Sequence, residues 1–352
     1  MKAYTQLVLL CRPGFEKECA GEIMDHASRL GFVAYIQTSQ DSGYVLLIGA
    51  GEPNVSELLT QLDFGQLIFT RQWFASLPIL DNLPEQNRIA PLIEGIQSLH
   101  EKFNSIELAY PDTNDGKSLS RFCKQFEPHL ITALKKQKLL SVKSGIRLHL
   151  LFLNSQQVYI GTSPITNSAP IAMGIPRLRM PSSAPSRSTL KLDEAIHWFI
   201  DDETHYLKNG MTAVDLGAAP GGWSWQLVQR GLLVTAIDNG PMEQQLMKSG
   251  MVDHFKTDAF TYRPEKTVDW LVCDMAERPL HVSKLIARWF IRKDCHHAIF
   301  NLKLPMKKRY QAVTECLELI QKELNDAGIG HQIQAKHLYH DREEITVCVM
   351  SS

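Results

Sequence analysis

The chain has 352 residues, 44% of them hydrophobic and 21% charged, the balance of a folded soluble protein with more chain than one ordinary core needs, so at least two domains are expected. A formal net charge of −1 argues at first sight against a nucleic-acid partner. The total hides a division: residues 1–127 carry a net −6, residues 128–192 hold nine Lys or Arg and no Asp or Glu, and residues 193–352 carry a net −4.

In chain order, the apolar run in YTQLVLLCR is closed by Arg12 and Pro13. It is too short to cross a membrane, has no signal-cleavage pattern and predicts a first strand. An amphipathic helix is expected over Phe15–Leu30, strands in FVAYIQTSQ and SGYVLLIGA, a helix over Asn54–Leu62, and a strand in GQLIFTRQWFASL. That β-α-β-β-α-β order predicts a ferredoxin-like unit over residues 1–80. A second small α/β unit is expected over 81–170, with a helix near Ile89–Phe103, a strand at SIELAYP, a basic helix from Lys117 to Leu139, and strands at IRLHLLFLN and QQVYIGT. Pro164, Pro170, Pro176, Pro181 and Pro185 fix φ and remove donors, so residues 171–187 should form an extended basic connector.

From residue 188 onward, short β-runs ending in acidic residues or glycine alternate with helices: MTAVDLG, LLVTAID, DHFKTD, VDWLVCDM, HHAIFNLKL, then a final pair around IQAKHLYH and EEITVCVM. This predicts an α/β, Rossmann-like domain over 188–352, with a mostly parallel sheet and functional groups at the carboxyl ends of its strands. The seven scattered cysteines form no CxxC pair, so free thiols in a reducing cytoplasm are expected, and no histidine has partners at metal-ligand spacing.

The strongest local signal is VDLGAAPGGWSWQLV, where Asp215 and Gly217 end a strand and Pro220-Gly221-Gly222 turn into a helix. Such a turn lets backbone approach a ligand and offers unpaired N–H groups. The dinucleotide fingerprint GxGxxG is absent, which disfavours a nicotinamide cofactor. Asp238, Asp258 and Asp274 end the next three strands. One acidic strand end is commonly a cap or turn residue, but an ordered set of them suits a nucleoside bearing an amine and no phosphate. S-adenosylmethionine fits that description. Ala219, Pro220, Gly221, Gly222, Asp238, Asp258 and Asp274 are the expected cofactor contacts, and Ser188 is a further candidate that serves equally as a turn residue.

The pieces SRSTLKLDEA, DLGAAPGGW, VCDM, NLKLP and REEITV resemble the FtsJ-type RNA ribose 2′-O-methyltransferases. With CRPGFEKECAGEI, IDNGPM and LYHDREE added, the resemblance extends over nearly the whole chain to the RlmM family of bacterial 23S rRNA cytidine 2′-O-ribose methyltransferases. The resemblance implies a THUMP-containing N-terminal region, 23S rRNA as partner, and a catalytic tetrad of Lys191, Asp274, Lys303 and Glu344. Ala219 stands where cysteine is expected in many relatives, a change that leaves the loop backbone the same.

A ribose 2′-hydroxyl is a weak nucleophile until its proton is removed, whereas a sulfonium methyl is already a strong electrophile, so the protein must supply position and a base. Lysine, with an ordinary pKa of about 10.4, serves as a base only when burial or a neighbouring cation lowers that value. Lys303, ending an apolar strand beside Lys191, is expected to be lowered in this way and to act as general base, with Asp274 and Glu344 orienting the pair. Glu343 is the alternative to Glu344; period-two alternation lets one of them face the site. The amine-reading Asn/Asp-Pro-Pro-aromatic motif of base methyltransferases is replaced by Asp274-Met275-Ala276-Glu277, leaving base methylation as a second reading and a non-catalytic ribosome-assembly factor as a third.

RNA contacts are expected from the acid-free stretch, at Lys135, Lys136, Lys138, Lys143, Arg147, Arg177, Arg179 and Arg187, and from Lys307, Lys308 and Arg309 after Lys303. A solvated basic face is the plain alternative. A cytoplasmic monomer without metal completes the expectation.

Overall fold

The computed structural model describes residues 4–351. It consists of two compact units, one ending at Pro176 and the other beginning at Arg177.

The first unit holds strands β1 (Gln6–Leu10), β2 (Ala34–Thr38), β3 (Tyr44–Gly49), β4 (Gln72–Ser76), β5 (Ser105–Ala109), β6 (Ile146–Phe152) and β7 (Val158–Pro164). Its helices are α1 (Glu16–Arg29), α2 (Leu58–Gln61), α3 (Ile89–Gln97) and α4 (Asn114–Lys136). Helix α1 packs through Cys19, Ile23 and Ala27, which recur at four-residue spacing and are buried. The antiparallel order β2-β3-β1-β4 is the ferredoxin-like arrangement.

Several local expectations were longer than the observed elements, among them the helix near Ile89–Phe103, which ends at Gln97. Asn54–Leu62 is a 3-10 turn at Val55–Glu57 followed by the single turn α2. In the stretch expected as one strand from Gly65 to Leu77, only Gln72–Ser76 pairs in the sheet. The backbone N–H groups of Ile68 and Phe69 are donated to the buried carboxylate of Glu22 on α1, so that segment satisfies itself outside a ladder.

The two small units expected at 1–80 and 81–170 share one seven-stranded sheet of order β2-β3-β1-β4-β7-β6-β5. The junction is antiparallel, with Ala75 opposite Thr162 and Ser76 opposite Gly161. A Cβ on Gly161 would lie 2.0 Å from the Ala75 carbonyl oxygen, so only glycine permits this approach.

The second unit holds β8 (Thr212–Leu216), β9 (Leu233–Ile237), β10 (Val252–Phe255), β11 (Val268–Cys273), β12 (Cys295–Lys303), β13 (His331–Lys336) and β14 (Glu344–Ser351). Helices α5 (Thr189–Phe199), α6 (Glu203–Tyr206), α7 (Gly222–Gln229), α8 (Gln244–Met247), α9 (Pro279–Ile291) and α10 (Arg309–Asp326) lie between and before them. The sheet order is β10-β9-β8-β11-β12-β14-β13. Strands β10 through β12 in that order are parallel, and β14 inserts antiparallel between β12 and β13. The order reverses between β8 and β11, where the connections diverge and a crevice opens at the strands' carboxyl ends. The core on which the sheet rests includes Trp223, Leu227, Trp270, Val272 and Ile299, all nearly fully buried.

All seven cysteines are buried free thiols. Among the described residues, no helix is long and apolar enough to cross a membrane.

Replacing Gly161 by alanine should destabilise the first unit by about 1–3 kcal/mol through overpacking against β4. Thermal unfolding of the G161A variant checks this; an unchanged midpoint would show that the junction can yield.

Candidate active site

Four strand ends converge on one cavity of about 370 Å³, walled by Gly217 after β8, Asp238 and Asn239 after β9, Thr257, Asp258 and Phe260 after β10, and Asp274 and Met275 after β11. Gly217 has φ +78°, and a Cβ there would meet Met275, so the wall requires glycine at this point. Asp238 is held by two backbone donors, Ala219 N–H to Oδ2 at 3.0 Å and Gly240 N–H to Oδ1 at 2.7 Å. Each oxygen keeps a lone pair for a further donor, the requirement for gripping a pair of ribose hydroxyls. Asp258 is exposed and accepts from Phe260 N–H. These groups suit a cationic nucleoside: acceptors for hydroxyl and amine hydrogens and net negative charge.

The other expected cofactor residues form the adjoining turn. Ala219, Pro220, Gly221 and Gly222 form the turn between β8 and α7, and the Ala219 N–H donates to the cavity-lining Asp238. A Cβ on Gly222 would lie 2.3 Å from Ser188 Oγ, and the Ser188 carbonyl accepts from the Trp223 indole at 3.1 Å. Ser188 therefore buttresses the turn, the role the sequence offered beside cofactor contact.

Asp215, buried beneath the cavity, accepts from Ser224 Oγ at 2.7 Å. Burial pushes its carboxyl up to about 7; the Ser224 hydroxyl pulls it down, while Asp274 and Asp238 push it up.

At the cavity's edge Lys191, Asp274, Lys303 and Glu344 meet. Lys191 Nζ lies 3.1 Å from Asp274 Oδ2 and 2.5 Å from Glu344 Oε1. Lys303 Nζ lies 3.0 Å from Asp274 Oδ1 and is also paired with Glu344 Oε2. The sheet register accounts for the last pair, since Lys303 and Glu344 are direct partners between β12 and β14. It also separates the two glutamates: the Glu344 side chain is 5% exposed, whereas that of Glu343 is 63% exposed and pairs with Arg309 at 2.8 Å. Lys191 comes from the first turn of α5. Three residues on, Glu194 anchors the same helix by accepting from Tyr339 N–H, His340 N–H and His340 Nδ1.

One expectation is reversed. Burial alone would lower the pKa of Lys303, but the Asp274 and Glu344 carboxylates outweigh it and raise the value above lysine's ordinary one. The sequence placed the cation Lys191 beside Lys303, while the folded site interposes two acids between them.

Sequence reasoning missed the layer beneath the four. Asn301 Nδ2 donates to Asp274 Oδ1 at 2.9 Å, and Thr346 Oγ1 lies 2.8 Å from Asn301 Oδ1 and 3.0 Å from Asp341 Oδ2. Period two was the available signal, because Asn301 precedes Lys303 by two and Thr346 follows Glu344 by two.

The expected RNA contacts divide. Lys135, Lys136, Lys138, Lys143, Arg177, Arg179, Arg187, Lys307 and Lys308 are exposed. Arg147 is not available to a phosphate: it is buried on β6, 3.6 Å from Glu107, and donates to the Ala169 carbonyl. Arg309 is engaged by Glu343. The acid-free segment was counted along the chain, and the partner of Arg147 arrives from β5, outside it.

Three family models match the chain: an RlmM ferredoxin-like domain over residues 4–74, an N-terminal domain of ribosomal RNA large subunit methyltransferase M over 87–164, and an FtsJ-like methyltransferase over 184–328. The stretch expected to be THUMP-like is thus matched under the second of these descriptions. Among curated proteins, the ribosomal RNA large subunit methyltransferase M of Cellvibrio japonicus is 49% identical over 343 residues, covering 97% of this chain and 98% of its own. The protein of the same description from Proteus mirabilis is 47% identical, covering 98% and 96%. Identity at this level over both units leaves one assignment: the chain belongs to the ribosomal RNA large subunit methyltransferase M family.

Proposed function

We propose that this protein methylates the 2′-hydroxyl of a cytidine ribose in 23S ribosomal RNA, taking the methyl group from S-adenosylmethionine. The observation that carries the reading is the meeting of Lys191, Asp274, Lys303 and Glu344 at the edge of a carboxylate-lined cavity, in a chain matching an FtsJ-like methyltransferase. Asp238 would hold the ribose of the cofactor, and Asp258 its exocyclic amine. The cofactor supplies a methyl on positively charged sulfur, an electrophile that needs no activation by the protein.

The acceptor ribose is then served by the tetrad. Its 2′-oxygen gives its proton to Lys303 Nζ as it bonds to the methyl carbon, and the carbon–sulfur pair leaves with the sulfur. Lys303 must first lose the proton that Asp274 and Glu344 stabilise. Positive charge brought to the Asp274 side of the site competes for that carboxylate and pulls Lys303 down from its raised value. Lys191 shares both acids with Lys303, which keeps the two ammonium groups apart and the oxygens fixed. The first unit and the exposed lysines would bind RNA through phosphates, a sequence-blind attachment.

Incubation of the protein with labelled S-adenosylmethionine and unmodified 23S rRNA should place label in a nucleotide whose 3′ linkage resists alkali, because a blocked 2′-oxygen cannot attack it. Label on a base would sink the ribose assignment, and RNA binding without transfer would favour an assembly factor. Lys303→Ala should cut the transfer rate by about 10²–10⁴-fold with cofactor affinity kept. In the native enzyme kcat/KM should climb by about tenfold per pH unit above neutrality, as the raised Lys303 of the free enzyme loses its proton; a flat profile removes Lys303 as base.

Cofactor binding has its own pH dependence. A cation in the cavity favours ionised Asp215, so below about 7 binding expels a proton and affinity rises with pH, levelling off above that value. Titration calorimetry should show this for the native chain and a flat response for D215N.

Neutralising Lys135, Lys136 and Lys138 together should reduce the slope of log affinity for RNA against log salt by about 2 and leave cofactor affinity unchanged. An unchanged slope would make that face merely solvated.

A further inference from the structure

We propose that Asp341 is a protonated carboxylic acid at the head of a one-way chain of hydrogen bonds, Asp341 to Thr346 to Asn301 to Asp274, which positions the carboxylate shared by Lys191 and Lys303. The role assigned to the chain rests on the tetrad being catalytic; its polarity does not.

The polarity follows from counting protons. Asp274 Oδ1 receives Lys303 Nζ at 3.0 Å and Asn301 Nδ2 at 2.9 Å, and Lys191 Nζ lies 3.1 Å from Oδ2. Two ammonium groups keep Asp274 ionised, so it can only accept. Asn301 must therefore turn its NH₂ to Asp274, which leaves its carbonyl oxygen facing Thr346 Oγ1 at 2.8 Å. That oxygen also only accepts, and the single hydroxyl proton of Thr346 is spent on it. Yet Thr346 Oγ1 also lies 3.1 Å and 3.0 Å from the two oxygens of Asp341. A hydrogen between them has to come from Asp341. Its Oδ2 also accepts from Leu338 N–H at 3.0 Å. The reverse polarity would require a proton on Asp274 between two ammonium groups.

The surroundings agree. Asp341 is 0% exposed. Burial, then the charges of Glu344 and Glu194, hold its carboxyl well above the usual carboxylate range, against the opposing pull of the Leu338 N–H. The sheet aligns the links, since Asn301 and Thr346 are direct partners between β12 and β14, two residues inward from Lys303 and Glu344. Asp341 is thus a positioning residue: it fixes the rotamer of Thr346, that of Asn301 through it, and the carboxylate plane of Asp274 last.

The test compares three variants of the full chain. D341N keeps a donor toward Thr346 and an acceptor for Leu338, D341A removes both, and T346V cuts the chain in the middle. In infrared difference spectra at neutral pH, native protein minus D341N should show the C=O stretch of a protonated carboxyl. T346V and D341A should lower kcat by about tenfold, the kinetic equivalent of one lost buried hydrogen bond, with KM for S-adenosylmethionine little changed. D341N should recover most of the loss seen in D341A. No protonated-carboxyl band, or a D341N enzyme as slow as D341A, would overturn the proposal. If D341A fails to fold, T346V against D341N carries the kinetic comparison. Methyl transfer to a base by a native protein that still shows the band would overturn the ribose reading and leave the polarity of the chain supported.

Discussion

Everything at the candidate site depends on mutual charge compensation among four side chains that none of their neighbours in sequence could supply. Two ammonium groups and two carboxylates, most of their surface buried, are stable together because each ion faces two of opposite sign. Removing one leaves its partners desolvated and unpaired, which costs far more than the loss of an exposed ion pair. The site therefore forms as a unit. The strand order that inserts β14 beside β12 brings Glu344 opposite Lys303. The anchoring of α5 through Glu194 holds Lys191 over the same point.

The same compensation raises the pKa of Lys303, the proposed base. In the proposed mechanism the raised Lys303 holds its proton in the free enzyme, and positive charge arriving at Asp274 would relieve the restraint. The layer below, Asn301 and Thr346, keeps the Asp274 carboxylate in one orientation while the charge around it changes.

Charge counted along the chain and charge arranged in space tell different stories. The net of −1 concealed a basic segment, and that segment is itself partly compensated in three dimensions. Arg147 is buried against Glu107, and Lys191 belongs to the tetrad, both partnered by acids from outside the acid-free stretch. What remains at the surface is the lysine group around the end of α4, with the connector arginines and Lys307–Lys308.

Most of the architecture was legible in the sequence because its signals are local. Period-two and period-3.6 patterns marked the strands and helices. Acidic residues at successive strand ends marked the cavity that Asp238, Asp258 and Asp274 line. Motif resemblance brought the four tetrad residues to attention. Tertiary structure alone decided the rest, for reasons of pairing at a distance. Glu22 drew the backbone of Ile68 and Phe69 out of a strand, Gly161 allowed two small units to share one sheet, and the β12–β14 register chose Glu344 over Glu343. The sign of the shift at Lys303 belongs to the same class. A sequence shows which charges exist and roughly where each element begins, but a pKa depends on which charges lie within a few ångströms, and only the folded chain sets those distances.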